Sequence, residues 1–145
     1  MSIQEEIQTP LGILEIVSTN GVIDRIEVIE SSRSEKKTVS QFQKIFDDYF
    51  HRVTKTLDLP YNLVGTEFQL RVWQELCKIP YGETKTYSEI AAAIGRPTAY
   101  RAVANACGQN KIPLVVPCHR VVGKSNLGGF RWGLAKKQLL LNLEN

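Results

Sequence analysis

Cysteine is scarce in this 145-residue chain and absent from its first 65 residues; the three present are Cys77, Cys107 and Cys118. An odd number of thiols, all in the second half, excludes a disulfide scaffold and points to a reducing compartment with at least one free sulfur. Histidine is scarcer still: His51 and His119 are the only two, and neither has Cys or His partners at metal-ligand spacing. His51 therefore reads as a surface residue. Long apolar runs are also missing. None approaches the roughly 18 residues of a membrane span, and the opening Met-Ser-Ile-Gln-Glu-Glu does not read as a signal peptide, so no membrane partner is expected. With 43% hydrophobic and 23% charged residues the composition is that of an ordinary globular domain, not of a disordered or collagen-like chain.

Acidic residues are nearly lacking from one stretch. Between Thr84 and Lys137 nine Lys/Arg face the single acid Glu89. The formal net charge of +3 thus conceals about −3 over residues 1–65 and +6 over residues 66–145. A basic half beside an acidic half favours a polyanionic partner for the C-terminal part, although an unevenly charged, solvated surface has the same arithmetic.

What is present divides the chain in two. Thr9-Pro10-Leu11-Gly12 and Thr19-Asn20-Gly21 are turn signals between Ile/Val-rich runs, and Ile26 and Val28 alternate with Arg25 and Glu27. Ser31 to Lys37 suits an exposed loop. Val39, Phe42, Phe46, Tyr49 and Phe50 then recur at helical spacing and form a stripe that can cover a small sheet. Pro60 to Gly65 has the composition of a linker. The expected fold is α+β: residues 1–62 as a small antiparallel sheet with a covering helix, then residues 63–145 as a mainly helical domain.

In the second half, Thr66 with Gln69 and Thr86 with Glu89 are capping-box patterns. The first opens a helix burying Phe68, Val72, Trp73 and Leu76, closed by the turn Pro80-Tyr81-Gly82. The second opens a short helix to about Ile94, stopped by Gly95-Arg96-Pro97. Thr98 can cap a further helix ending near Gly108. Two short helices across a tight glycine-containing turn predict a helix-turn-helix. On the second of them Ala99, Ala102, Val103 and Ala106 share a low-bulk core face, with Thr98, Arg101 and Asn105 roughly opposite. One arginine among small residues lets a helix approach a duplex closely; a tightly packed helix with an exposed arginine fits equally well.

The distinctive segment runs from Asn110 through Leu114-Val115-Val116-Pro117 to Cys118-His119-Arg120. Leu114 to Val116 read as a short strand-like run. Cys118 follows, with His119 as a candidate base and Arg120 as a nearby positive charge, the surroundings that favour a nucleophilic thiolate. Adjacent residues need not face each other, and an isolated cysteine is commonly inert core, as expected for Cys77 and Cys107. A Cys-His pair alone does not decide between these readings, and a protease would draw its partners from separate segments.

The run PCHRV, with Asn110 eight residues before its cysteine, the upstream RAVANACGQN, and the downstream GGFRWG and GLAKKQLLLNLEN, resembles the O6-alkylguanine-DNA alkyltransferase family. The resemblance covers residues 66–145 strongly; the preceding part fits only as a short, weakly specific N-terminal domain. It implies that Cys118 accepts the alkyl group from O6 of guanine. His119 would take the thiol proton through a water, with Glu144 polarising it and Asn110 bracing the turn before the cysteine. Arg101 would enter the base stack where the damaged nucleotide has left, and Tyr87 would meet the extruded base. Thr98, Ala102 and Asn105 would lie on the DNA-facing helix, Phe130 over the guanine pocket, and Lys137 along the active-site region. Phe130 stands where some members have tyrosine, and Arg131 where some have a small hydroxyl residue.

The implied partner is double-stranded DNA carrying O6-alkylguanine, bound as a monomer through the minor groove and extruding the target base. The implied reaction is irreversible, occurs once per molecule and needs no cofactor; the sequence leaves open whether O4-alkylthymine is also a substrate. Larger members hold zinc in the N-terminal domain; residues 1–65 contain no cysteine, so no metal is expected here. The setting implied is cytoplasmic in a prokaryote and nuclear in a eukaryote. Two alternatives belong to other classes. One is a sensor that binds alkylated DNA without repairing it, a form in which the acceptor cysteine is replaced. The other is a regulator built on the helix-turn-helix alone, for which no effector or dimerisation segment is evident.

Overall fold

The computed structural model describes residues 1–34 and 38–145. The chain divides into two compact units, Met1–Leu63 and Val64–Asn145. As the sequence pattern predicts, the fold is α+β, with a three-stranded antiparallel sheet followed by helices.

In the first unit β1 (Ser2–Thr9), β2 (Gly12–Thr19) and β3 (Val22–Ile29) pair in chain order. Thr19 pairs with Val22, so Asn20-Gly21 is a two-residue hairpin loop. Both loop residues have positive φ, 53° and 80°, the conformation that the Asn-Gly pair adopts at least cost. Central β2 is buried along Leu14 to Ser18. Helix α1 (Gln43–Phe50) lies on β1 and buries Phe46, Tyr49 and Phe50.

Helix α1 is shorter than its apolar stripe predicts. Val39 is exposed, and Phe42 caps the helix instead of lying within it. The Ser40 hydroxyl accepts the Phe42 N–H at 3.0 Å, a local turn that competes with helix at this point. Each outer strand is met at one residue. The Gln43 side chain pairs with the backbone of Gln8 (3.0 and 2.9 Å), and Ile23 exchanges backbone bonds with Pro60 and Asn62 (2.9 and 2.8 Å). The start of the expected linker is thus bound to β3. Ser31–Ser34 are exposed as expected, and the remainder of that loop, residues 35–37, lies outside the described residues.

In the second unit α2 (Glu67–Leu76), α3 (Tyr87–Ala93) and α4 (Tyr100–Gly108) pack on one another. Both capping boxes are complete, with Thr66 accepting from Gln69 N and Thr86 from Glu89 N, each returned by the side chain three residues on. Trp73 Nε1 donates to the carbonyl of Ala106 at 2.8 Å and ties α2 to α4; Arg71 donates to that of Ile94 at 2.6 Å at the end of α3. Val72, Trp73 and Leu76 are buried, while Phe68 is half-buried beneath the Arg96 guanidinium, 5.8 Å from its ring centre. Helix α2 stops at Leu76, and the Pro80 turn follows four residues later. A two-residue parallel pair, β4 (Lys85–Thr86) with β5 (Val121–Val122), and α5 (Leu134–Leu143) complete the unit.

The helix-turn-helix is α3 and α4, but Thr98 does not cap the second helix. Ala99 occupies the N-cap position and makes no side-chain cap bond, because the Arg96-to-Ala99 turn (Ala99 N to Arg96 O at 2.9 Å) places Thr98 one residue too early. Thr86→Ala should therefore cost the C-terminal unit about 1 kcal/mol. Thr98→Ala should stay within about 0.5 kcal/mol of the parent. Urea denaturation of the two variants checks the difference, and equal losses would contradict this capping assignment.

Candidate functional site

The site is built around Asn110, which is fully buried just beyond the end of α4. Its Oδ1 accepts from Ile112 N and its Nδ2 donates to the carbonyl of Val116, both at 2.9 Å. The clasped segment is a turn and not the strand-like run expected: Leu114 adopts φ 76°, and Val116 N donates to the carbonyl of Ile112 at 3.0 Å. A left-handed leucine costs about 1–2 kcal/mol, sustained here by its buried side chain and the Asn110 clasp.

Pro117 leads from this turn into a 3₁₀ turn, Cys118–Arg120, whose three side chains are all buried. Burial pushes the Cys118 thiol up to about 11, opposed by the Asn110 side-chain hydrogen bond and by the charges of Lys137 and Arg131. The resting group is therefore a protonated thiol, not the thiolate that a basic neighbourhood leads one to expect. Arg120 does not supply that neighbourhood, because its charge is committed elsewhere. Its Nε and Nη2 donate to the two carboxylate oxygens of Glu144 at 2.8 and 2.9 Å, and Nη1 donates to the carbonyl of Ile79 at 2.8 Å.

His119 meets the same carboxylate, Nε2 to Glu144 Oε2 at 2.9 Å, and is itself fully buried. Burial lowers its pKa below the ordinary histidine value. The adjacent carboxylate opposes this, and the charges of Arg120 and Lys137 reinforce it. A neutral ring beside a carboxylate carries its proton on Nε2, which leaves the Nδ1 lone pair available; Nδ1 has no protein hydrogen-bond partner. Glu144 thus aims one basic nitrogen, and Arg120 fixes Glu144. Sequence reasoning placed Glu144 but missed Arg120 as its partner. The residues are 24 apart and no local pattern links them.

A cleft of about 220 Å³ adjoins the thiol, lined by Tyr87, Ala104, Cys107, Gly108, Cys118, Gly129, Phe130 and Arg131. Pairing of β4 with β5 brings Tyr87, the first residue of α3, level with the cysteine turn. Its hydroxyl accepts from Gly129 N at 3.0 Å. Gly128 has φ +72°, and a Cβ there would collide with the Tyr87 hydroxyl, so only glycine allows this approach. Phe130 is half-buried, edge-on to Trp132 at 5.8 Å.

Lys137 is not presented to a ligand, contrary to its expected place among DNA- and base-contacting residues. Its side chain is fully buried, and the ammonium donates to the carbonyls of Val121, Leu127 and Gly129 at 2.6, 2.5 and 2.8 Å. Three donors are matched by three acceptors, so Lys137 shapes the loop that walls the cleft. Cys107, expected as inert core, is buried but lines this cleft.

Thr98, Arg101, Ala102 and Asn105 all lie exposed at the start and along the outer face of α4. Ala102 was expected on the core face as well; Val103, Ala106 and Cys107 hold that face instead, which turns Ala102 outward. Arg101 and the thiol are thereby served by opposite faces of one helix. Among the described residues no group of three or more His, Cys, Asp or Glu is arranged to hold a metal ion.

Fold and site together define a helix-turn-helix protein with a buried cysteine and its own base beside the second helix. The 6-O-methylguanine DNA methyltransferase DNA-binding domain matches residues 67–145, and the chain belongs to that family. A mimivirus protein named "Probable methylated-DNA--protein-cysteine methyltransferase" (Acanthamoeba polyphaga mimivirus) is 48% identical over 97% of this chain and 95% of its own. A methylated-DNA–protein-cysteine methyltransferase of Methanosarcina barkeri is 45% identical over 83% of this chain and 77% of its own. The crystal structure of Mycobacterium tuberculosis OGT in complex with DNA superposes with a TM-score of 0.87 at 37% identity, over 97% of this chain and 92% of that one.

Two outcomes follow from the geometry. Glu144→Gln removes the charge that balances a buried guanidinium and should destabilise the unit by about 3 kcal/mol in urea denaturation. Iodoacetamide should label Cys118 of the free protein slowly at pH 7, with the rate still rising toward pH 11, as followed by peptide mapping. Rapid labelling that is flat above neutral pH would contradict a raised thiol.

Proposed function

We propose that this protein repairs O6-alkylguanine in double-stranded DNA by moving the alkyl group to Cys118, once per molecule. The observation that carries the reading is the buried Cys118 thiol at the cleft, next in the chain to a histidine whose one free nitrogen is set by Glu144. The family membership of the chain and the DNA complex of its M. tuberculosis neighbour support DNA as the partner.

The chemistry is a displacement at carbon. His119 Nδ1 takes the thiol proton through a bridging water, and the imidazolium that forms is stabilised by Glu144. Sulfur attacks the alkyl carbon in line with its bond to O6, and the bonding pair leaves on the guanine oxygen. The hydroxyl of Tyr87 accepts from Gly129, so its own proton is free to face the departing base, where negative charge develops. The product is a thioether, which offers no leaving group for a second displacement. No residue returns the sulfur to a thiol, and the protein is consumed. O4-alkylthymine presents the same alkylated exocyclic oxygen and is included in the reading.

The target oxygen is hidden in a stacked duplex, and extrusion costs a few kcal/mol. The exposed Ala102 lets α4 come close in the minor groove, and Arg101 beside it is long enough to fill the space the nucleotide vacates. Thr98 and Asn105 flank it, and the surrounding basic residues supply salt-dependent phosphate contacts that are independent of sequence. Each step needs one copy of the chain, so a monomer acts alone, in whichever compartment holds the DNA.

Incubation with a duplex carrying O6-methylguanine, followed by intact mass and peptide mapping, tests the reading. One methyl group should appear on Cys118. Cys118→Ala should bind and transfer nothing, and Arg101→Ala should lose affinity while keeping an iodoacetamide-reactive thiol. Because burial depresses His119, the transfer rate should hold as pH falls through about 6.5, where a free histidine protonates, and should decline only below it. Tight binding without transfer would overturn the repair reading in favour of a sensor.

A further inference from the structure

The reaction leaves one buried nucleophile unused. Cys107 lines the same cleft as Cys118, delivered there by the buried face of α4. Asn110 joins the two: its N–H donates to the carbonyl of Cys107 at 3.3 Å, and its side chain hydrogen-bonds the Cys118 thiol. The remaining walls are glycine, alanine, two aromatic rings and Arg131, with no carboxylate or amine to compete for an electrophile.

We propose that Cys107 is a second acceptor in this cleft, serving adducts that remain electrophilic after they reach Cys118, namely the 2-haloethyl class. The proposal rests on the alkyl-transfer reading above. Cys118 takes a 2-chloroethyl group from O6 of guanine and becomes a chloroethyl thioether. The thioether sulfur displaces its own chloride, closing a three-membered episulfonium ring. Cys107 Sγ then attacks one ring carbon, a carbon–sulfur bond of the ring opens, and the thiol proton passes to solvent. The balance is closed: one carbon–chlorine bond is lost, one carbon–sulfur bond is gained, and chloride and a proton leave. No oxidant or reductant takes part.

Geometry and electrostatics agree with this order of events. An ethylene bridge spans more than the roughly 2.0 Å sulfur–sulfur bond of a disulfide, and the two thiols it would join line one cleft and lie near enough to influence each other electrostatically. Burial pushes the Cys107 thiol up to about 12, and a charged Cys118 raises it further while Lys137 opposes. The episulfonium ring places a positive charge beside Cys107, which joins Lys137 in favouring the Cys107 thiolate only after the first transfer. A group that would otherwise couple the protein to DNA ends as an internal bridge.

The test uses the whole protein and a duplex carrying O6-(2-chloroethyl)guanine. Trypsin, cutting after Arg101, Lys111 and Arg120, places the two cysteines in separate peptides, residues 102–111 and 112–120. The expected main product is these peptides joined through an ethylene bridge; Cys107→Ser should give no joined pair and a hydroxyethyl thioether on Cys118. A wild-type protein that yields only the hydroxyethyl thioether overturns the proposal, as does a protein–DNA cross-link formed equally with and without Cys107. A parallel duplex with O6-methylguanine separates the two readings. Absence of methyl transfer defeats the repair function, whereas methyl transfer without a bridge defeats this proposal alone.

Discussion

The carboxylate of Glu144 is the point on which the C-terminal unit depends. It is almost entirely buried, and it is held there by a bidentate guanidinium from Arg120 and by the ring N–H of His119. A lone buried charge costs several kcal/mol, so neither Glu144 nor Arg120 is stable at its position without the other. The consequences run outward along covalent connections. Glu144 closes α5, Arg120 ends the 3₁₀ turn that begins at Cys118, and the third guanidinium bond reaches the segment after α2 through Ile79. Arg120 also lies 5.8 Å over the Tyr81 ring, whose hydroxyl donates to the carbonyl of Leu143 at 3.2 Å. One ion pair therefore sets the helix end, the cysteine turn and the orientation of the base together.

The same burial explains how the proposed acceptor thiol is kept from reacting with the wrong partner. An exposed thiol with a lowered pKa would react with any electrophile it met. Here desolvation holds Cys118 protonated, while Asn110 and Lys137 supply a bias toward the thiolate that is too weak to ionise it at rest. The proposed transfer requires a proton acceptor already in place, and His119 fits that role because burial lowers its pKa. Two groups are shifted in opposite senses by one cause, burial, and the result is a latent nucleophile beside a ready base. Lys137, sunk among three carbonyls, gives the cleft wall its shape and the site a fixed positive charge at once.

The first unit is held together differently. Its stability comes from ordinary means: an Asn-Gly hairpin, a central strand buried along five residues, and a helix pinned to the edge of β1 by Gln43. Its own buried carboxylate, Glu15, meets Arg25 and Arg33 at a looser 3.7 Å, and no cysteine or histidine stands beside it.

Local chemistry was readable wherever cause and effect lie within a few residues. Both capping boxes follow from side chains bonding nearby backbone, the Asn20-Gly21 hairpin and the stop after α3 at Gly95 from residues that accept positive φ, and the structure contains each of them. The run around Cys118 is long and unusual enough to identify the family from sequence. Where three-dimensional packing decides, the pattern misled: Thr98 does not cap, Ala102 faces outward, and Leu114 to Val116 form a turn, because helix start and core direction are set by what packs against them. The pairing of Arg120 with Glu144, the burial of Lys137 and the arrival of Cys107 at the cleft were decided by the tertiary structure alone. A charge or thiol carries no sign in the sequence of which distant group will desolvate or neutralise it. The sequence by itself determined which atoms could react; folding determined which of them are shielded, which are paired, and which nitrogen of His119 is left without a protein partner.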